Sequence, residues 1–165
     1  MKVAVKDACV LIGLANAGLL DVWFQLGIET HTTDLVIRQV KQLNQWRIIT
    51  GFIQAGMLKV ATMTGTELEQ MFVEYAHLKI GVEDKTVLFL AVKLDAILVT
   101  GDRTVRIEGI KRKLEVRGVL WILDELINRG LLAKKLAAVK LGLMLKEGAF
   151  LPPDESKKRL DQWEK

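Results

Sequence analysis

With 165 residues, 50% of them hydrophobic and 27% charged, the chain can bury a substantial core in one domain and is too short for two of ordinary size. Its longest apolar run, Val87 to Val92, falls far short of the roughly 20 residues of a membrane helix, and no export signal opens it, so the expected protein is cytoplasmic, with no membrane partner. A single cysteine and two histidines exclude an intrachain disulfide, a cysteine-based zinc site and a histidine cluster; a formal charge of +4 and a pI near 9.2 favour contact with polyanions without establishing it.

Lys2 to Lys6 reads as a short strand that stops at Asp7, after which Ala8 to Ala17 has helical character. Gly18 breaks that helix, and Leu19 to Leu26 reads as a second one closed by Gly27. Glu29 to Thr33 is a brief strand. Asp34 then reads as the N-cap of a helix carrying Val36, Val40 and Leu43 on one face, with Gln39 on that face too. Gly56 to Thr62 is the next strand, and Thr64-Gly65-Thr66-Glu67 opens a helix in which Leu68, Met71, Phe72 and Tyr75 form a core stripe.

Gly81-Val82-Glu83-Asp84 leads into an apolar helix reaching Leu94. The run Ala96 to Val99 is short, partly β-branched and without alternation, as a strand buried on both faces is. It ends in Thr100-Gly101-Asp102, and Arg103 to Glu115 continues as a basic helix. Val116 to Leu120 reads as a last strand. Trp121 to Gly148 holds two helices divided at Gly130, the second with Leu132, Leu136, Val139 and Leu143 facing one way and Lys134, Lys135, Lys140 and Lys146 elsewhere. Pro152-Pro153 is expected to end the ordered packing, leaving 1–150 as a single domain and 151–165 as a charged C-terminal tail. The alternation of strands and helices predicts an α/β fold, a parallel sheet covered on both sides.

Three acidic residues recur in one context. Asp7 and Asp102 each follow a strand and precede a helix, and Asp84 stands at the start of one. Groups just beyond the carboxyl ends of parallel strands line the crevice where ligands bind, which allows the three carboxylates to converge. Converging carboxylates repel one another unless a cation or protons compensate, and hard oxygen ligands with open water positions suit Mg²⁺ or Mn²⁺. Taken singly, each aspartate reads first as a helix cap, and only the three in order shift the balance.

In order, these residues resemble the PIN-domain family. Asp7-Ala8-Cys9-Val10-Leu11 is similar to its opening motif, Glu83 to Ala91 to its central acidic helix, and Ile97 to Asp102 to the motif in which Thr or Ser precedes the last acidic residue by two. The similarity runs from Val3 to about Leu126, and the closing helices up to Phe150 are compatible with the VapC-type toxin ribonucleases of bacterial and archaeal toxin–antitoxin systems. The resemblance implies a three-layer fold with a parallel sheet of about five strands. It implies metal-dependent hydrolysis of RNA phosphodiester bonds, with Asp7, Asp84 and Asp102 as catalytic ligands of Mg²⁺ or Mn²⁺. It also implies an RNA substrate, an antitoxin protein as partner, and a homodimer.

One position departs from the pattern. The family usually carries an acidic residue on the helix after the second strand, and the matching residue here is Gln39, whose carbonyl accepts a hydrogen bond but brings no charge. A catalytically weak or inactive RNA- or protein-binding module is therefore the alternative reading. Asp34 substitutes only if that helix is shifted. Thr100 is expected to hydrogen-bond a site carboxylate or else to form a turn, and Cys9 to be buried and inert. Arg103 and Arg106 either meet RNA phosphate or share a solvated face with Lys111, Arg112 and Lys113. The four tryptophans read as core or interface, because no aromatic–basic interleaving marks a stacking platform. A phospho-acceptor signalling domain is a further class, but the first strand ends in a single Asp7 rather than an acidic pair. The glycine-rich fingerprints of nucleotide-binding folds are absent.

Overall fold

Val3–Lys6 (β1), Glu29–Thr33 (β2), Leu58–Ala61 (β3), Ile97–Val99 (β4) and Val116–Arg117 (β5) pair in parallel in the order β3-β2-β1-β4-β5. The computed structural model describes residues 3–149 and 151–165. Lys2 and Phe150, read above as the start of the first strand and the end of the closing helices, lie outside the described residues. The central strands β1 and β4 are buried on both faces, as their unalternating apolar sequences require.

Ten helices surround the sheet among the described residues: α1 Ala8–Asn16, α2 Leu20–Phe24, α3 Asp34–Arg38, α4 Leu43–Gln54, α5 Gly65–Glu74, α6 Val82–Leu94, α7 Arg103–Lys111, α8 Val119–Asn128, α9 Lys134–Lys146 and α10 Pro153–Trp163. Right-handed crossovers put the β1–β2 and β2–β3 connections on one face, and β3–β4 and β4–β5 on the other. So α1, α2 and α4 form one layer, joined by α8 through its packing on α2, while α6 lies across β1, β2 and β4 with α5 and α7 beside it. Strand order reverses at β1 and β4. Their carboxyl ends therefore flank the crevice that such a reversal opens.

The structure corrects several expectations. The helix expected from Asp34 to Leu43 is two helices, because Gln42 is extended (φ −77°, ψ 129°) and α4 starts a new axis at Leu43. Its N-cap is Thr33 rather than Asp34: the Thr33 hydroxyl accepts from the Val36 amide at 3.3 Å and bonds Thr86 Oγ1 at 2.8 Å, tying β2 to α6. The last strand stops at Arg117, since Leu120, Leu123 and Leu126 recur at helical spacing and are buried on α8. The helix expected to reach Glu115 ends at Lys111, and Lys113 turns the chain at φ 62°. Gly109 lets α7 press on the sheet, for a Cβ there would stand 2.6 Å from Leu98 and 2.9 Å from Val116.

Two apolar stripes are assigned differently by the packing. On α5, Met71 and Tyr75 are buried but Phe72 is exposed. On α9, the buried face is Ala137, Ala138, Leu141 and Met144, and the expected stripe of Leu136, Val139 and Leu143 faces solvent, Val139 being 57% exposed. Small alanines allow α9 to approach its neighbours more closely than leucines would. Nor does packing end at Pro152-Pro153. Those prolines start α10, which lies along α9 with Ser156 and Trp163 buried, held to α8 by Arg159 on Asp124.

Candidate active site

Asp7 closes β1. Its backbone amide donates to the Val99 carbonyl (3.2 Å), extending the β1–β4 pairing by one residue and fixing where its side chain starts. The carboxylate is buried and held at both oxygens: Oδ1 accepts from the Val10 amide at 2.8 Å, and Oδ2 from the Thr100 hydroxyl at 2.5 Å and the Gly101 amide at 3.2 Å. Thr100 is buried at the end of β4 and accepts in turn from the Asp102 amide at 3.1 Å. Asp102 caps α7 through Oδ1, which accepts from the Val105 amide at 2.9 Å. The cap reading is thus true of Asp7 and Asp102 as far as it goes.

Asp84 differs. The N-cap of α6 is Gly81, and Asp84 sits in the first turn with no hydrogen bond to its carboxylate among the described residues. It is positioned through Thr86, which donates to the Glu83 carbonyl at 2.6 Å and meets Thr33 from β2. Burial pushes the Asp84 carboxyl up to about 6, and the fields of Asp7, Asp102 and Glu83 push in the same direction. Burial also raises Asp7, against the pull of its three hydrogen bonds and of Lys6. The fields of Asp7, at the end of β1, and Asp102, just beyond β4, thus reach Asp84 on α6 closely enough to oppose its ionisation. Even so, among the described residues no three His, Cys, Asp or Glu side chains stand close enough together to hold a metal ion as they are placed.

The remaining candidates surround this edge. Cys9 is exposed rather than buried, and partial burial of its sulfur, then the fields of Asp7, Asp84 and Asp102, hold its thiol above the ordinary range. Arg106 lies over the Cα of Gly118, where a Cβ would come within 3.2 Å of Nη2 and 3.5 Å of the Thr100 carbonyl oxygen. Arg103, the first residue of α7, is exposed and makes no ion pair among the described residues. Gln39 is the C-cap of α3 and is exposed, while Val36 and Val40 are buried. The expectation that Gln39 shares their packed face is corrected.

The chain matches the family model DUF3368, PIN domain, over residues 3–165. It belongs to the PIN-domain family. The match takes in α10, the segment the sequence reading set apart as a tail. PIN domains are in general nucleases that act on RNA with divalent metals, and the parallel five-stranded sheet is that of an α/β PIN domain. No curated protein matches the chain. No helix among the described residues is long and apolar enough to cross a membrane.

Lys6 was missed in the sequence. In this PIN domain it is fully buried next to Asp7, its Nζ 3.2 Å above the centroid of the Trp23 ring and without a hydrogen-bond partner among the described residues. Desolvation holds its pKa well below the ordinary lysine value, against the attraction of Asp7. The only signal was a lysine in an otherwise apolar strand, and Trp23 lies on another element.

Proposed function

We propose that this protein is a metal-dependent ribonuclease that hydrolyses RNA phosphodiester bonds at the carboxyl edge of its sheet, with Asp7, Asp84 and Asp102 as the catalytic, metal-holding residues. One observation carries the reading. Asp84 lies within the fields of Asp7 and Asp102, carboxylates carried by two other elements, and burial followed by those fields drives it to about 6 with no hydrogen-bond partner of its own among the described residues. Such a set fits a hard divalent cation, Mg²⁺ or Mn²⁺, by charge and by donor chemistry. The cation supplies Lewis-acid polarisation of a phosphoryl oxygen and lowers the pKa of water.

The chain's own residues supply placement. Thr100 and the Gly101 amide hold Asp7 Oδ2 in one orientation, and the Thr100 hydroxyl passes that constraint to the Asp102 amide. Asp84, free of such bonds, turns toward the other two when charge compensation is available. Arg106, lying over Gly118 beside Thr100, and Arg103 on the preceding turn meet phosphate oxygens of the substrate.

The toxin role in a toxin–antitoxin pair, an antitoxin as partner, a homodimer and a cytoplasmic setting belong to the same proposal and rest on the VapC-like motif order. A second reading, a catalytically weak or inactive RNA- or protein-binding module, is favoured by Gln39 and by the absence of a preassembled metal cluster among the described residues. Titrating Mn²⁺ into the protein while following both heat and melting temperature separates the two. Saturable binding that raises Tm in the wild type and is lost in Asp84→Asn is the expected result, together with Mn²⁺-dependent cleavage of labelled RNA. Equal, unsaturable responses of the two proteins would support the inactive module.

A further inference from the structure

The corner between α3 and α4 carries a feature that neither the acidic site nor the fold requires. From Leu35 to Thr66 the chain has no Asp or Glu, while Arg38, Lys41 and Arg47 fall in the first half of that stretch. Among the described residues the only ion pairs within it are Arg38 with Asp34, at 3.8 Å, and Lys59 with Glu29. Lys41 and Arg47 are exposed, as are Leu43 and Trp46. Trp46 is the exception among the tryptophans: Trp23 and Trp163 are core, Trp121 is half-buried, and Trp46 is 41% exposed with its ring stacked on no other aromatic among the described residues.

The local packing explains this orientation. Gln45 is buried and its amide donates to Asn16 at the end of α1 (3.0 Å), and Ile49 one turn later is fully buried, so these residues fix the inward face of α4. Leu43, Trp46 and Arg47 follow at the spacing of the opposite face. The corner leaves from α3, which packs on β2 and on α6, the helix that bears Asp84. The aromatic–basic interleaving that the linear sequence did not reveal is created by this corner.

We infer that Trp46, with Arg38, Lys41 and Arg47, forms a single-stranded RNA platform leading to the acidic site, a base stacking on Trp46 while the cations meet the phosphates. The choice of RNA rests on the nuclease reading above. It is also favoured by charge, since three cations with at most one weak carboxylate partner suit a polyanion. A second copy of this corner would set those same cations against each other. Stacking on an aromatic ring is tolerant of sequence, and phosphate contacts make binding fall with salt.

The test is fluorescence anisotropy with an unstructured labelled oligoribonucleotide in EDTA, where binding is read without cleavage. Trp46→Ala is expected to weaken binding roughly tenfold, and Trp46→Phe, which keeps a stacking ring, by less than about threefold. Lys41→Gln and Arg47→Gln should each reduce the salt slope by about 0.7, the value for one phosphate contact on a single strand. All four variants should keep the Mn²⁺-induced rise in Tm. Unchanged affinity in Trp46→Ala, or equal losses in the Ala and Phe variants, would overturn the platform while leaving the nuclease reading intact. RNA binding through Trp46 without any Mn²⁺ response would instead uphold the platform and sink the nuclease reading. A wild type that binds no RNA but turns from dimer to monomer in Trp46→Ala would make the corner a protein interface, and the inference would fall.

Discussion

At the seam of α8 and α10, Asp124 receives Arg159 through Nε at 3.1 Å and Nη2 at 2.7 Å, and Glu155 takes Nη1 of the same guanidinium at 3.1 Å. At the carboxyl edge of the sheet, Asp84 feels the charges of Asp7 and Asp102 and has no ion pair and no hydrogen-bond donor of its own among the described residues. Both regions hold partly buried carboxylates. In the first, the chain supplies the countercharge and the arrangement is complete. In the second, the chain partly removes Asp84 from water within the fields of two other carboxylates and gives it no partner among the described residues, a state relieved by a proton or by a cation from solution. On the function proposed above, the contrast separates an acidic residue that holds the fold together from acidic residues kept for chemistry.

The largest effect expected from breaking this contrast is on activity. Asp84→Asn should lower RNA cleavage by at least about a hundredfold, the scale on which even supporting groups of a metal site act. The same substitution should leave the metal-free protein as stable or more so, because the removed charge was opposed by its neighbours. A kinetic assay beside chelator-treated thermal melts checks both. At the seam, Arg159→Met should do the reverse, reducing stability by ~1–2 kcal/mol through the unpaired Asp124 while Mn²⁺ affinity stays within about twofold. Urea titrations and Mn²⁺ calorimetry of that variant would show whether α10 is structural only.

A smaller effect is expected in the pH dependence of the metal-free protein. Asp84 binds its proton more tightly in the folded chain than in the unfolded one, so its contribution is most favourable below pH ~4 and is lost as the pH rises through about 6. For a group this exposed to solvent, the loss is expected to be ~1–2 kcal/mol. The difference in stability between wild type and Asp84→Asn should open over that window and close when Mn²⁺ is added. A flat difference from pH 4 to 7 would mean that neither burial nor the neighbouring carboxylates raise the Asp84 carboxyl. The smallest effect is assigned to Gln39→Glu. Gln39 is exposed and stands at the C-cap of α3, where the helix dipole disfavours an added negative charge. Mn²⁺ affinity should change by less than about threefold; a gain of tenfold would show that the side chain reaches the site.

By itself, the sequence determined what depends on short spacings. The succession of strand, Asp and helix at Asp7 and again at Asp102, the apolar β4 and the capping box of Thr64 with Glu67 are written in adjacent residues, and local geometry obeys them. Tertiary structure decided what depends on a partner far along the chain. Whether Leu136 or Ala137 faces inward on α9 was settled by how closely the neighbouring helices approach, and whether α10 frays or docks by Arg159 meeting Asp124. Lys6 is buried because Trp23 covers it, and Trp46 is exposed because Gln45 turns inward to Asn16. A side chain's burial is a property of the surface that meets it, and periodicity along one helix carries no record of that surface.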